Sequence, residues 1–291
     1  MLDTREDAIT RTVLDRMQTT ADPRLRRISE AVVRHLHALV REIEPTQEEW
    51  RAAIDFLTRT GQLCSDTRQE FILLSDALGV SMLVDAVNHR HPQGATDTTV
   101  LGPFYVEGPP PFENGADLSG EMSGLPMLIH GSVAAADGRP LAGAVVDIWH
   151  ADDQGFYDVQ QQPDMRAGRG RLRTDADGRF RCWSVRPVSY PIPHDGTVGA
   201  MLELQGRHPY RPAHVHFMIA APGFEPLVTH LFVSGDPYLT SDVVFGVKES
   251  IIVDLIEHPA GRAPDGRMIA TSFAEMSYDF RLAPARSRQS A

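Results

Sequence analysis

The sequence predicts a mixed α and β fold, with helices over residues 1–95 and a sandwich or barrel of short strands over residues 96–291. Three observations carry that expectation. Apolar residues recur at helical spacing before Pro92 and in short runs after it. Turn signals containing glycine separate those runs. Two histidines one residue apart, His214 and His216, head an apolar, strand-like segment.

Asp22 is placed to cap a helix that opens with Pro23, and Thr46-Gln47-Glu48-Glu49 has the reciprocal pattern of a capping box. Gly61 is the expected end of the second of these helices. A third helix is expected from about Thr67 through Asn88, with apolar faces from Phe71, Leu74, Leu78, Met82 and Val87 and its weak point at Gly79. The strand-like runs include Met127-Leu128-Ile129, Val145-Val146-Asp147-Ile148, Phe180-Arg181-Cys182-Trp183 and Leu231-Phe232-Val233. Asp137-Gly138, Asp177-Gly178, Pro222-Gly223 and Asp265-Gly266 supply the turns. Residues 108–111 and 187–199 read as loops, and the tail after Pro284 as disordered.

Composition narrows the function. A chain of 291 residues that is 42% hydrophobic can bury a large core as one domain or two. A net charge of -11 argues against nucleic acid, whose phosphates call for a basic surface. No apolar run is long enough to embed the chain in a membrane. Its first residues lack the basic-then-apolar character of a secretion signal, so a cytoplasmic location is expected. Cys64 and Cys182 make no disulfide framework and read as free thiols.

The chemistry starts at His214-Val215-His216. A strand's period of two puts both imidazoles on one face, so one rigid element offers two metal ligands. Imidazole suits Zn, Cu, Fe and Ni alike, and the pair names no metal by itself. A zinc hydrolase would add a third histidine or a carboxylate, and a non-haem Fe(II) oxygenase one carboxylate. Two tyrosines in unusual settings offer another route. Tyr157 follows the turn Asp152-Asp153-Gln154-Gly155, and Tyr190 precedes Pro191-Ile192-Pro193, whose prolines restrain the backbone. Taken singly, each tyrosine is better explained as a half-buried ring with a hydrogen-bonded hydroxyl.

Together these segments resemble the intradiol ring-cleaving dioxygenases. The resemblance extends through Leu101-Gly102-Pro103-Phe104-Tyr105, Val145-Val146-Asp147-Ile148-Trp149-His150-Ala151-Asp152, Arg173-Thr174-Asp175 and Gly235-Asp236-Pro237-Tyr238-Leu239, and covers most of the chain. It implies an antiparallel β-sandwich catalytic domain, residues 96–291, holding Fe(III) through Tyr157, Tyr190, His214 and His216, with no organic cofactor. Tyr190 matches the ligand that leaves the metal and serves as a base. Arg211 matches the cation that stabilises carbanion character on the ring, and His230 a group that hydrogen-bonds near the iron. The helical residues 1–95 would pair two chains into a homodimer, with phospholipid enclosed in some members. The substrates implied are O2 and an aromatic diol or triol.

Within the family, Leu73-Leu74-Ser75-Asp76, Val228-Thr229-His230 and Val244-Phe245-Gly246-Val247-Lys248 are most similar to members that cleave hydroxyquinol, 1,2,4-trihydroxybenzene. The product implied is 3-hydroxy-cis,cis-muconate, the enol tautomer of maleylacetate. The same resemblance assigns the pocket to Leu73, Asp76, Val100, Leu101, Gly102, Pro103, Phe104, Ile192, Pro193, Arg211 and Val244. Asp76 stands where catechol-type members commonly carry proline. Catechol or chlorocatechol cleavage is the alternative within the family. The more remote alternatives are a zinc hydrolase and a non-catalytic transthyretin-like module, which Pro140–Val146 and Thr174–Phe180 also resemble.

Overall fold

The computed structural model describes residues 5–65, 68–90, 94–161 and 166–285. The expected helix start at Thr67, the change of character at Pro92 and the tail from residue 286 lie outside the described residues. The chain divides into two compact units, Met1–Arg59 and Thr60–Ala291.

Five helices come first: α1 (Arg5–Met17), α2 (Pro23–Ile43), α3 (Gln47–Gln62), α4 (Glu70–Ala77) and α5 (Val80–Asn88). The α2 cap is as the sequence predicts, with Asp22 Oδ1 accepting from the backbone N–H groups of Arg24 and Leu25 at 2.7 and 3.1 Å. Ahead of α3, Thr46 N–H donates to Glu49 Oε2 at 2.8 Å and Glu49 N–H to Thr46 Oγ1 at 3.2 Å, which completes the capping box. Gly61 lies inside α3 rather than after it, since one interior glycine costs only about 1 kcal/mol. The single helix expected up to Asn88 is two helices. Gly79 takes the left-handed conformation at φ 72°, which breaks the helical ladder between α4 and α5. Asp22→Ala is expected to cost the protein about 1 kcal/mol, read as a lower melting temperature. An unchanged melt would show that the cap contributes nothing.

Among the described residues, the rest of the chain holds thirteen strands: β1 (Pro126–Ala135), β2 (Val145–His150), β3 (Arg169–Arg173), β4 (Arg179–Val185), β5 (Tyr190–Pro191), β6 (Tyr210–Arg211), β7 (His214–Ala220), β8 (Leu227–Val233), β9 (Ile252–Val253), β10 (Ile256–His258), β11 (Gly261–Arg262), β12 (Met268–Ile269) and β13 (Phe273–Leu282). Helices α6 (Asp158–Gln161) and α7 (Thr197–Leu204) interrupt them. A four-stranded sheet in the order β10-β13-β1-β4 faces a five-stranded sheet in the order β3-β2-β7-β8-β9. Ile129, Val133, Phe180 and Phe280 from the first meet Val146, Ile148, Val215, Phe217 and Ile219 from the second. The β region is therefore a sandwich, not a barrel.

It is not wholly antiparallel. β1 pairs with β13 and β8 with β9 in parallel. Parallel neighbours need a long crossover between them, and local turn signals carry no information about such connections. The pleat decides where the chemistry sits. Val215, Phe217 and Ile219 of β7 fill the core, so His214 and His216 point to the opposite face of the same strand.

Candidate metal centre

Four donor atoms converge on that outer face. Tyr157 Oη lies 2.9 Å from His216 Nε2, 3.4 Å from His214 Nε2 and 3.1 Å from Tyr190 Oη. Tyr190 Oη is 3.4 Å from His214 Nε2, and the two Nε2 atoms are 3.1 Å apart. Donors from three separate stretches of chain thus share one small volume, and all four side chains are buried.

Each is held by its local structure. His214 Nδ1–H donates to the carbonyl of Pro212 at 2.6 Å, which fixes the tautomer and turns Nε2 toward the site as an acceptor. The His216 ring stacks on Trp149 of β2 at 4.7 Å and 16°. Gly102 lets the backbone pass close on another side, where a Cβ would stand 3.1 Å from His216 Cε1. Tyr157 leaves a turn whose Asp152 carboxylate accepts from the N–H groups of Gln154 and Phe156, both at 2.9 Å. Its ring stacks under Phe104 at 4.4 Å, and the buried pair Asp158–Arg169 anchors the next residue. Gly155 is required beside Tyr190: its φ is 87°, and a Cβ there would fall 2.6 Å from Tyr190 Cβ.

Tyr190 and Arg211 are register partners in the two-residue ribbon β5–β6. The Arg211 guanidinium is buried, with Nε and Nη2 donating to the two Asp242 oxygens at 3.2 and 3.3 Å and Nη1 3.2 Å from His214 Nε2. Burial pulls its pKa down, but the Asp242 carboxylate and the two phenols overcome that and leave it above the ordinary arginine value. Burial pushes both phenols up, Tyr157 strongly, and pushes the His214 and His216 imidazoles well down. Without a cation the four groups are neutral. A bound cation inverts that preference for the phenols, because it stabilises the anion more than burial destabilises it.

Residues 100–284 match the family described as Dioxygenase, and residues 22–96 match Catechol dioxygenase N terminus. The chain belongs to the intradiol ring-cleaving dioxygenases. Its relatives include hydroxyquinol 1,2-dioxygenase of Rhizobium sp., 50% identical over 282 residues that cover 96% of this chain and 95% of that protein. 6-Chlorohydroxyquinol 1,2-dioxygenase of Cupriavidus pinatubonensis is 51% identical, covering 87% and 92%. Among solved structures, hydroxyquinol 1,2-dioxygenase from Pseudomonas putida DLL-E4 superposes with a TM-score of 0.90 at 48% identity, covering 96% and 99%. A non-catalytic transthyretin-like module is thereby displaced, and the chain is an enzyme.

The dioxygenase places the remaining sequence-predicted residues as follows. Leu73, Ile192 and Val244 share one apolar cluster with Val198 and Leu202. Asp76, one turn beyond Leu73 on α4, is also buried. Burial raises its carboxyl pKa against a hydrogen bond from Ser81 and the charge of Arg211. Val100 and Leu101 lead into Gly102, and Leu101 is 39% exposed. Pro103 connects Gly102 to Phe104, and Pro193 follows Ile192, partly buried. His230 of β8 stands opposite His216 in register, fully buried, with neither ring nitrogen hydrogen-bonded. Among the described residues, the three-member group of His, Cys, Asp or Glu that could hold a metal is His214, His216 and His230. Three histidines are themselves a possible zinc set, so it is the family match over residues 22–96 and 100–284 that displaces the zinc hydrolase alternative.

Asp242 escapes a reading of the sequence. It lies 31 residues from Arg211 in an irregular stretch, and nothing local marks it as that residue's partner. It also accepts from Gly246 N–H at 2.9 Å, which ties the turn containing Val244 to the same carboxylate.

Proposed function

We propose that this enzyme cleaves hydroxyquinol with O2 between its adjacent hydroxyls, giving 3-hydroxy-cis,cis-muconate and its tautomer maleylacetate, at a ferric ion held by Tyr157, Tyr190, His214 and His216. Both oxygen atoms of O2 end in the open dicarboxylate. The observation that carries the reading is the convergence of two phenols and two imidazoles, each donor atom within 3.4 Å of at least two of the others. The donor set fits iron(III), because phenolates are hard anions that favour the trivalent over the divalent ion. When bound, the ion would chelate the two deprotonated hydroxyls and draw electron density from the ring, opening ring carbon to O2.

The protein's own groups do the rest. Tyr190 Oη, a phenolate when it holds the ion, would accept one proton of the incoming diol, and solvent the other. Arg211, fixed by Asp242, presents a permanent positive charge to the ring as negative charge develops there. Phe104, Ile192, Leu73 and Val244 supply apolar walls that orient the ring and keep bulk water away. Asp76 faces the extra hydroxyl that distinguishes hydroxyquinol from catechol. The substrate assignment follows the two relatives whose names carry hydroxyquinol or its 6-chloro derivative at about half identity.

A panel of oxygen-uptake assays tests it, with hydroxyquinol expected to be turned over faster than catechol, chlorocatechols or protocatechuate. A preference for catechol would move the enzyme to the sister branch. The purified protein is expected to be coloured by phenolate-to-iron charge transfer. Tyr157→Phe should bleach or shift that band and lower the iron content, because it removes an anionic ligand. A colourless zinc-loaded protein with hydrolase activity would end the iron reading.

The helical region is proposed to pair two chains. α2 buries none of its residues, and Leu25, Ile28, Val32, Leu36, Leu39 and Ile43 form an exposed stripe at helical spacing. A two-fold pairing would cover that stripe in an isologous contact. Within this unit an open cavity of about 750 Å³ has Ile9, Val40 and Trp50 on its apolar wall, with His37, Arg41, Glu6 and Glu44 beside them; the apolar wall is what supports an enclosed phospholipid chain. No helix among the described residues is long and apolar enough to cross a membrane, and we assign the enzyme to the cytoplasm. A stable monomer at micromolar concentration in sedimentation would overturn the dimer.

A further inference from the structure

We propose that His214, His216 and His230 form a second metal-binding mode at this centre, a three-imidazole set that takes a divalent ion such as Zn(II) or Co(II) without either tyrosine. The sheet supplies the arrangement. His214 and His216 share one face of β7, and His230 is the register partner of His216 on the adjacent antiparallel strand β8. One ligand nitrogen from each of the three lies within 4.8 Å of the others, and the His214 and His216 Nε2 atoms are already 3.1 Å apart. The ring of His230 sits 4.1 Å from that of His216 and 4.9 Å from that of His214.

His230 carries the argument. Its side chain is fully buried, yet neither Nδ1 nor Nε2 has a hydrogen-bond partner. A buried polar group left so costs about 1–3 kcal/mol, which coordination would recover. Among the described residues its ring contacts are His214, His216 and Phe232, none of which supplies a hydrogen bond to it.

Charge separates the two modes. Three neutral ligands offset none of an ion's charge, so they suit a divalent ion, whereas a trivalent ion draws in the phenolates of Tyr157 and Tyr190. Arg211 adds a positive charge beside the set, and its paired contact with Asp242 offsets it. Zinc, cobalt and copper favour imidazole, and three histidines with an open position are a recognised zinc arrangement. The consequence is metal competition: a divalent ion would occupy the cavity in a colourless or weakly coloured form, with the phenols still protonated, and exclude iron.

The test is titration of chelator-stripped full-length protein with Co(II), followed by visible absorption and by metal stoichiometry. Tyr157→Phe/Tyr190→Phe is expected to bind one cobalt with wild-type affinity. His230→Gln is expected to weaken cobalt by at least about tenfold, since even groups that only support a ligand are worth ten- to a hundredfold. The same His230→Gln protein should keep its ferric charge-transfer band. Loss of cobalt in the double-tyrosine variant, with no effect of His230→Gln, would overturn the second mode. If the double variant does not fold, the wild type decides: a tyrosinate difference band on cobalt binding contradicts the proposal, and its absence supports it. Failure of the ferric reading is separately visible, as a missing charge-transfer band in iron-loaded wild type with cobalt binding intact.

Discussion

Arg211→Ala is expected to lower kcat by about 10²- to 10³-fold, the loss typical when one preorganised charge is removed from a site where charge develops, while iron content and colour persist. The cation is not a ligand, so the chromophore has no reason to disappear. Its surroundings make it effective: the guanidinium and the Asp242 carboxylate have side chains only 4% and 2% exposed, so water does not screen them. That burial also complicates the experiment. Removing the arginine strands a buried carboxylate, which costs about 3–5 kcal/mol in folding, and a less stable protein loses activity for a trivial reason. Arg211→Ala/Asp242→Asn resolves this. Neutralising the stranded partner should restore much of the melting temperature and none of the turnover. Turnover that recovers with stability would assign the arginine a structural role, as would an Arg211→Ala enzyme at wild-type kcat. Lysine is a poor substitute, because its point charge cannot reproduce the two contacts to Asp242 that leave Nη1 facing the site.

The same residue shows what a sequence can and cannot display. His214 and His216 are legible because a strand alternates faces, and the core role of Val215, Phe217 and Ile219 follows from that alternation. The caps of α2 and α3 are legible because their partners lie within three residues. Asp242 is invisible because its meeting with Arg211 depends on how β6 and the loop beyond β8 are brought together. The pairing of Tyr190 with Arg211 is equally hidden: a two-residue ribbon flanked by prolines has no periodicity to read. The parallel partners β1 and β13 are joined only after the whole second sheet has been laid down, and hydrophobic patterning does not distinguish a parallel neighbour from an antiparallel one. Gly79 is legible as a weak point in a helix, yet the full break into α4 and α5 is not. The left-handed turn there lies against the ring of Phe245, a contact far away in the chain. The tyrosines are legible only through the family resemblance, since each alone reads as an ordinary half-buried ring.

Substrate choice is where a single side chain should matter most after Arg211. Catechol and hydroxyquinol offer a metal the same pair of oxygens, so any preference must come from the third hydroxyl and what meets it. Asp76 is buried on α4 beside Leu73, which already belongs to the apolar cluster with Ile192 and Val244. Burial raises its carboxyl pKa, and the hydrogen bond from Ser81 only partly opposes that, so this is a group short of solvation. On the proposed reading a third ring hydroxyl would donate to this carboxyl, whereas a catechol C–H could not. A hydrogen bond to such a group is worth about 1.5–3 kcal/mol, or about ten- to a hundredfold in discrimination. Asp76→Ala should therefore lower kcat/KM for hydroxyquinol by that factor and leave kcat/KM for catechol nearly unchanged or improved, because catechol no longer strands a buried carboxyl. Asp76→Asn, which keeps the size and a hydrogen-bonding oxygen, should lose less for hydroxyquinol than alanine does. Equal losses for the two substrates would reduce Asp76 to a packing residue of α4 and leave the origin of the preference to the apolar wall.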